Sequence, residues 1–88
     1  MDKMRIGDYI LKLQSFCPEV HEVRNLNGEY AGYFRVDRKV FKAYARDGEL
    51  VLVAHTEGYC FLEDEESSCN LENGVIAIAS YYKEKQNV

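Results

Sequence analysis

Two dipeptides, Asn27-Gly28 and Asp47-Gly48, constrain the fold of this chain more than any other feature. Asn-Gly or Asp-Gly between two apolar, β-branched runs is the strongest short-range signal for a β-hairpin, because a type I′ turn needs positive φ at both central positions. Such runs flank the first dipeptide at 20–26 and 29–36, and another follows the second at 50–55. The sequence therefore predicts at least two antiparallel hairpins.

Two further segments fit more than one structure. The segment 38–46 works as a strand that enters the Asp47-Gly48 turn, or as a helix capped by Asp37 and ended by Gly48. The Asp-Gly dipeptide and the apolar run after it favour the strand. The last apolar segment, 75–85, fits either a strand or a helix, and both alternatives stay open.

The N-terminal region shows the spacing of an amphipathic helix. Its apolar residues fall at i, i+3, i+4, i+7, i+10 and i+11, which is one stripe of a 3.6-residue period. Asp2 is a suitable N-cap, and Pro18 would end the helix by forcing the preceding residue towards extended geometry. The residues of the stripe are Ile6, Tyr9, Ile10, Leu13, Phe16 and Cys17.

These elements together predict an α+β fold in two layers. We expect an N-terminal helix packed on a mostly antiparallel meander sheet of about four to five strands. The 88 residues of the chain are too few for two domains, so residues 1–88 are expected to form a single small domain.

Composition and cysteine usage predict a cytoplasmic protein. No apolar run approaches the roughly 18 residues that span a bilayer, and the first residues are charged where a signal peptide would be apolar. The three cysteines are odd in number and irregularly spaced, unlike those of a secreted disulfide scaffold. We therefore expect reduced thiols.

Charge is strongly segregated along the chain. Residues 47–82 contain eight carboxylates and no Lys or Arg, whereas residues 1–46 contain nine Lys or Arg against six Asp or Glu. The net charge of the whole chain is −4. Segregation of this kind bears on electrostatic fields and partners, not on fold.

The motifs expected of metal sites and of catalysis are missing from the sequence. A structural zinc site usually contains a tight Cys-x2-Cys pair, and Cys17, Cys60 and Cys69 form none. A catalytic Cys–His pair with His21 or His55 would also need an orienting group and a pocket that a small core rarely encloses. We expect a protein that is not an enzyme, with no metal, no cofactor and no small-molecule substrate.

The leading functional hypothesis is a protein–protein interaction module with an acidic face. A basic surface on a partner would be steered to such a face, and nucleic-acid-handling enzymes display basic grooves that it could fill. Small acidic inhibitors encoded by phages and other mobile elements give the compositional analogy. The predicted partner-binding residues are Glu57, Tyr59, Glu63, Asp64, Glu65, Glu66 and Glu72.

The alternative hypothesis is a nucleic-acid-binding protein. Cations for phosphates, interleaved with aromatic rings for stacking, are how single-stranded nucleic acid is held. The stretch 33–46 has this composition, although the negative net charge opposes the approach of phosphate. The predicted nucleic-acid-binding residues are Tyr33, Phe34, Arg35, Arg38, Lys42, Tyr44 and Arg46.

Self-association is also predicted. A meander of this length leaves edge strands, which small sheets often pair across a two-fold axis. Opposed charges would favour a homodimer in which 35–46 of one copy lies near 63–66 of the other.

Overall fold

The computed structural model of the chain describes residues 3–16, 18–55 and 65–86. These residues form an antiparallel sheet of six strands and one helix, in the α+β class. The strands are β1 (Lys3–Ile6), β2 (Tyr9–Phe16), β3 (Glu19–Asn25), β4 (Tyr30–Asp37), β5 (Val40–Ala45) and β6 (Leu50–His55), and the helix is α1 (Glu65–Gln86). Sequential strands are neighbours throughout, so the sheet is a simple meander from β1 to β6.

The hairpins predicted at Asn27-Gly28 and Asp47-Gly48 are confirmed, but their turn type differs from the prediction. Only the glycines have positive φ, 85° at Gly28 and 89° at Gly48. In both turns the glycine N–H donates to the carbonyl three residues earlier, at 3.0 Å for Asn25 and 2.9 Å for Ala45. Each loop is therefore a type I turn followed by a left-handed glycine, which is the usual three-residue hairpin connection.

The predicted N-terminal helix is wrong, because this region forms β1 and β2. Gly7 takes a φ of 58° and lets the chain reverse between the paired residues Ile6 and Tyr9. The helical spacing was misleading because the turn shifts the alternation of side chains, which leaves Ile6, Tyr9 and Leu11 packed on the core. This hairpin also brings the number of strands to six, where about four to five were expected.

Both ambiguous segments are resolved. Residues 40–45 form β5, as the Asp-Gly signal favoured, and 75–85 lie within α1. The helix turns its apolar stripe, which includes Leu71, Val75 and Ile78, towards one face of the sheet. None of the described helices is long and apolar enough to cross a membrane.

The core lies between α1 and the sheet, where the helix contacts β4, β5 and β6. The fully buried rings of Phe34 and Phe41 pack edge to face with their centroids 5.3 Å apart. Gly74 lies directly above them, and a Cβ there would stand 2.8 Å from Phe34 and 2.9 Å from Phe41. Glycine at this position therefore lets the helix approach the sheet closely.

The C-terminal half of α1 is attached to the sheet by two tyrosines. The Tyr82 hydroxyl donates to the Ala31 carbonyl at 2.6 Å and accepts the Arg46 N–H at 2.8 Å. The Tyr81 hydroxyl donates to Asp47 at 2.6 Å, and Lys85 donates to the same carboxylate at 2.9 Å. These bonds, with Tyr81 first and Lys85 second, hold the pKa of Asp47 well below its usual range.

Candidate nucleic-acid interface

The face of the sheet opposite the core is built from alternate residues of all six strands. Leu11, Val23 and Phe34 point into the core, so their sequence neighbours point the other way. We call this second surface the open face. Following the strand register, its residues include Lys3, Arg5, Ile10, Lys12, Ser15, Val20, Glu22, Arg24, Tyr30, Tyr33, Arg35, Asp37, Val40, Lys42, Tyr44, Leu50, Val53 and His55.

Two stacked tyrosines occupy the centre of the open face. Tyr33 on β4 lies directly opposite Tyr44 on β5, with ring centroids 4.6 Å apart and an angle of 15° between the rings. Both rings are half-buried, so part of each ring surface remains accessible. Cross-strand aromatic pairs stabilise a sheet, and accessible rings also offer surfaces on which a planar ligand can stack.

A pair of cations lies beside the stacked tyrosines. Arg35 follows Tyr33 by two residues on β4 and is directly opposite Lys42 on β5. Like charges at facing positions destabilise a sheet. The charge of Arg35 is partly compensated by the carboxylate of Asp37, 3.5 Å away. Lys42 makes no ion pair with any carboxylate that the structure describes.

The charge of the open face is opposite in sign to that of the chain. Across the described strands, the open face carries six Lys or Arg residues and two carboxylates, a balance of +4. Glu22 is bound to Arg24 at 2.6 Å, which raises the pKa of the arginine. Lys3 and Lys12 face each other across β1 and β2 without an ion pair among the described residues.

The β4–β5 turn adds two cations at one end of the open face. Arg38 and Lys39 have φ values of 52° and 65°, in a left-handed region that favours glycine and asparagine. Each such residue costs roughly 1–2 kcal/mol relative to ordinary backbone geometry. Strain of this size is retained where the surrounding structure enforces it, and it is common at functional sites.

Five of the seven predicted nucleic-acid-binding residues lie on the open face or at its end: Tyr33, Arg35, Arg38, Lys42 and Tyr44. Phe34 does not, because it points into the core and is fully buried. Arg46 follows β5, and its guanidinium lies 5.6 Å from the centre of the Tyr82 ring. It lines a separate cleft that also includes Tyr9.

Sequence reasoning missed the part of the open face that comes from β1, β2 and β3. Its cations are Lys3, Arg5, Lys12 and Arg24. The two-residue spacing of Lys3 and Arg5 is the signal that could have identified them. Residues two apart share a face in a strand but not in the helix that the sequence predicted here. Tyr30, the first residue of β4, was also missed, and burial of its phenol raises its pKa.

The predicted acidic face is only partly within the described residues. Glu57, Tyr59, Glu63 and Asp64 lie outside them. Glu65 and Glu66 are the first two residues of α1. Glu72 is exposed and lies nearly two turns further along the helix.

The histidines and the possible metal ligands were also considered as parts of a chemical site. Over residues 3–16, 18–55 and 65–86, no three His, Cys, Asp or Glu side chains are placed to hold a metal ion. His21 is buried and lies 3.0 Å from the buried carboxylate of Glu19. Cys17 and Cys60 lie outside the described residues, so the predicted absence of a cysteine nucleophile stays a prediction.

Comparison with known proteins adds no relative. No family model, no curated protein and no solved structure matches this chain.

Proposed function

We propose that this chain is a non-enzymatic binding protein that holds single-stranded nucleic acid on the open face of its sheet. The observation that carries the proposal is the stacked pair Tyr33–Tyr44 with the facing cations Arg35 and Lys42 beside it. Rings for bases and cations for phosphates, side by side on a rigid surface, are the two components that such sites combine.

Charge supports the proposal. An antiparallel sheet often has one solvated face, but a solvated face needs no particular sign of charge. Here the open face has a balance of +4 in a chain whose net charge is −4. A local positive potential attracts phosphate even where the whole molecule is acidic.

The tyrosines favour a single strand over a duplex. Bases in a duplex are stacked on each other and present only their edges in the grooves, whereas unpaired bases can stack on aromatic side chains. Stacking on an aromatic ring contributes about 1–3 kcal/mol per base and depends little on sequence. We therefore expect weak sequence preference and a strong preference for unpaired strands.

The test measures binding to labelled single-stranded and double-stranded oligonucleotides of equal length by fluorescence anisotropy. The measurement is repeated over a series of salt concentrations. We expect Tyr33→Ala or Tyr44→Ala to weaken single-strand binding by roughly 5- to 150-fold, which is the loss of one stacked base. Arg35→Gln with Lys42→Gln should reduce the slope of log K against log salt by about 1.4, since each phosphate contact on a single strand contributes about 0.7.

The matched control is Lys83→Gln, which removes an exposed cation from α1. Binding by this variant should equal that of the wild type. No measurable binding of the wild type to any strand at low salt would contradict the proposal, as would equal losses in the Lys83 variant and the open-face variants.

The alternative function is an inhibitor that presents an acidic face to a nucleic-acid-handling enzyme, and the same test bears on it. The described residues support it less, because four of its seven predicted residues (Glu57, Tyr59, Glu63 and Asp64) lie outside them. It would be favoured if nucleic acid did not bind and if neutralising residues 63–66 abolished binding to a purified basic partner. Phage or mobile-element origin and a cytoplasmic location remain predictions.

The homodimer built on complementary charge, which the sequence predicts, stays a prediction. It would place 35–46 of one copy against 63–66 of another, and it must weaken as salt screens the charges. Light scattering at low and high salt tests it, and a mass that does not change with salt would contradict charge-driven pairing.

A further inference from the structure

The two edges of the sheet differ in how they discourage pairing with another chain. The β1 edge has Lys3 and Arg5, and charged side chains on an edge strand oppose pairing. The β6 edge, residues 50–55, contains no Asp, Glu, Lys or Arg. Only β1 therefore has the charge protection common on edge strands.

The side chains of β6 also expose apolar surface. Leu50 is 44% exposed and Val53 is 52% exposed, both on the open face next to the edge. Within the described part of the chain, β6 pairs with β5 alone, so alternate N–H and C=O groups of β6 point away from the sheet. Asn70 reaches one end of the strand, at the His55 carbonyl, over 3.5 Å.

We propose that a second copy of this chain pairs with β6 and forms a homodimer with one continuous sheet. A strand that pairs with its own copy across a two-fold axis perpendicular to the sheet is antiparallel to it, as the rest of this sheet is. The uncharged edge suits a second copy because no side chain on it repels its own symmetry mate.

This pairing has a geometric consequence for the open face. A two-fold axis perpendicular to the sheet reverses strand direction but keeps each face on the same side. The open faces of both copies would therefore join into one surface of twelve strands, with a Tyr33–Tyr44 pair on each side of the axis. The dimer itself does not depend on nucleic-acid binding.

The experiment is multi-angle light scattering over a series of protein concentrations at low and high salt. We expect the mass of a dimer at both salt concentrations, because backbone pairing and apolar contact are not screened by salt. Leu50→Lys with Val53→Lys should give a monomer, since it places lysines of both copies along the shared edge, where like charges oppose pairing.

The matched control is Leu26→Lys, which replaces an equally exposed residue (47%) in the β3–β4 turn, away from β6. It should remain a dimer. Circular dichroism verifies that all variants are folded. A monomeric wild type, a dimer that dissociates in high salt, or a dimer in the doubly substituted variant would overturn the proposal.

Hydrogen exchange provides a second readout on the unaltered chain. Alternate amides of β6 should become protected as protein concentration rises, while amides of the β1 edge should not change. Equal behaviour of the two edges would also overturn the proposal. Single-strand binding by the unaltered chain at concentrations below those at which it dimerises separates failure of the dimer from failure of the proposed function, because no residue of the open face is changed.

Discussion

The two faces of this sheet are made from alternate residues of the same strands, but their chemistry is opposite. The core face has Phe34 and Phe41 pressed against Gly74 of α1, with no room for a single extra carbon atom. The open face has the half-buried rings of Tyr33 and Tyr44 among cations. Neighbours in the sequence, such as Tyr33 and Phe34, therefore serve different purposes, and stability can be separated from binding by single substitutions.

The largest expected difference between the faces is at those two neighbours. Phe34→Ala should reduce the free energy of unfolding by about 3–5 kcal/mol, because it leaves a cavity beneath Gly74. Tyr33→Ala should cost about 1 kcal/mol, the value of one cross-strand aromatic pair. Urea denaturation of both variants measures the contrast, and equal losses would mean that the two faces are not packed as described.

Gly74→Ala tests the close approach of helix and sheet. In an exposed helix this change stabilises by about 1 kcal/mol, because alanine is the better helix former. Here the new methyl group would meet both phenylalanine rings, and overpacking of a core costs typically 1–3 kcal/mol. We expect net destabilisation, measured by thermal unfolding.

A second substitution at this contact provides the control. Phe41→Leu makes space for the methyl group, so Gly74→Ala should cost less in the Phe41→Leu background than in the wild type. Additive effects of the two substitutions would contradict a direct contact between Gly74 and the ring.

The strained β4–β5 turn should show a conflict between stability and binding. Arg38→Asn with Lys39→Gly provides the dipeptide that two left-handed positions prefer, and should stabilise the fold by about 1 kcal/mol. Losing two cations from the end of the open face should also weaken single-strand binding and lower its salt dependence. A variant that is more stable and binds as tightly as the wild type would show that the turn has no part in binding.

The smallest expected effect concerns the attachment of α1 at Asp47. Its pKa is held below the usual range by Tyr81 and Lys85, so the ionised form stabilises the fold above the unfolded-state pKa of about 4. This contribution is lost as pH falls through the lowered pKa of the folded state. The difference in urea midpoint between the wild type and Asp47→Asn should therefore shrink below about pH 4. A difference that grows towards acid pH would contradict the sign.

The turn signals in the sequence predicted two hairpins correctly. The hairpins at Gly28 and Gly48 were found because a turn that needs a left-handed residue selects glycine, which can be recognised from a few neighbouring residues. The N-terminal hairpin was not found, because Ile6, Tyr9 and Leu13 satisfy a helical period and only pairing of β2 with β3 decides between helix and strand.

The sequence also predicted part of the open face. The sequence pointed to 33–46 as a basic and aromatic stretch, and Tyr33, Arg35, Lys42 and Tyr44 do share one face. Composition alone did not tell which rings point to the core, so Phe34 was included with its neighbour. The share of the face contributed by β1 to β3 depended on long-range pairing, which no local pattern specifies.

The most direct test of the division between the two faces is nitrogen–proton correlation NMR during titration with a short single-stranded oligonucleotide. We predict that shift changes concentrate on the strand residues around Tyr33, Tyr44, Arg35 and Lys42, and are small along the core-facing side of α1. Shift changes concentrated on α1, or no changes at low salt, would contradict the assignment of the open face as the binding surface.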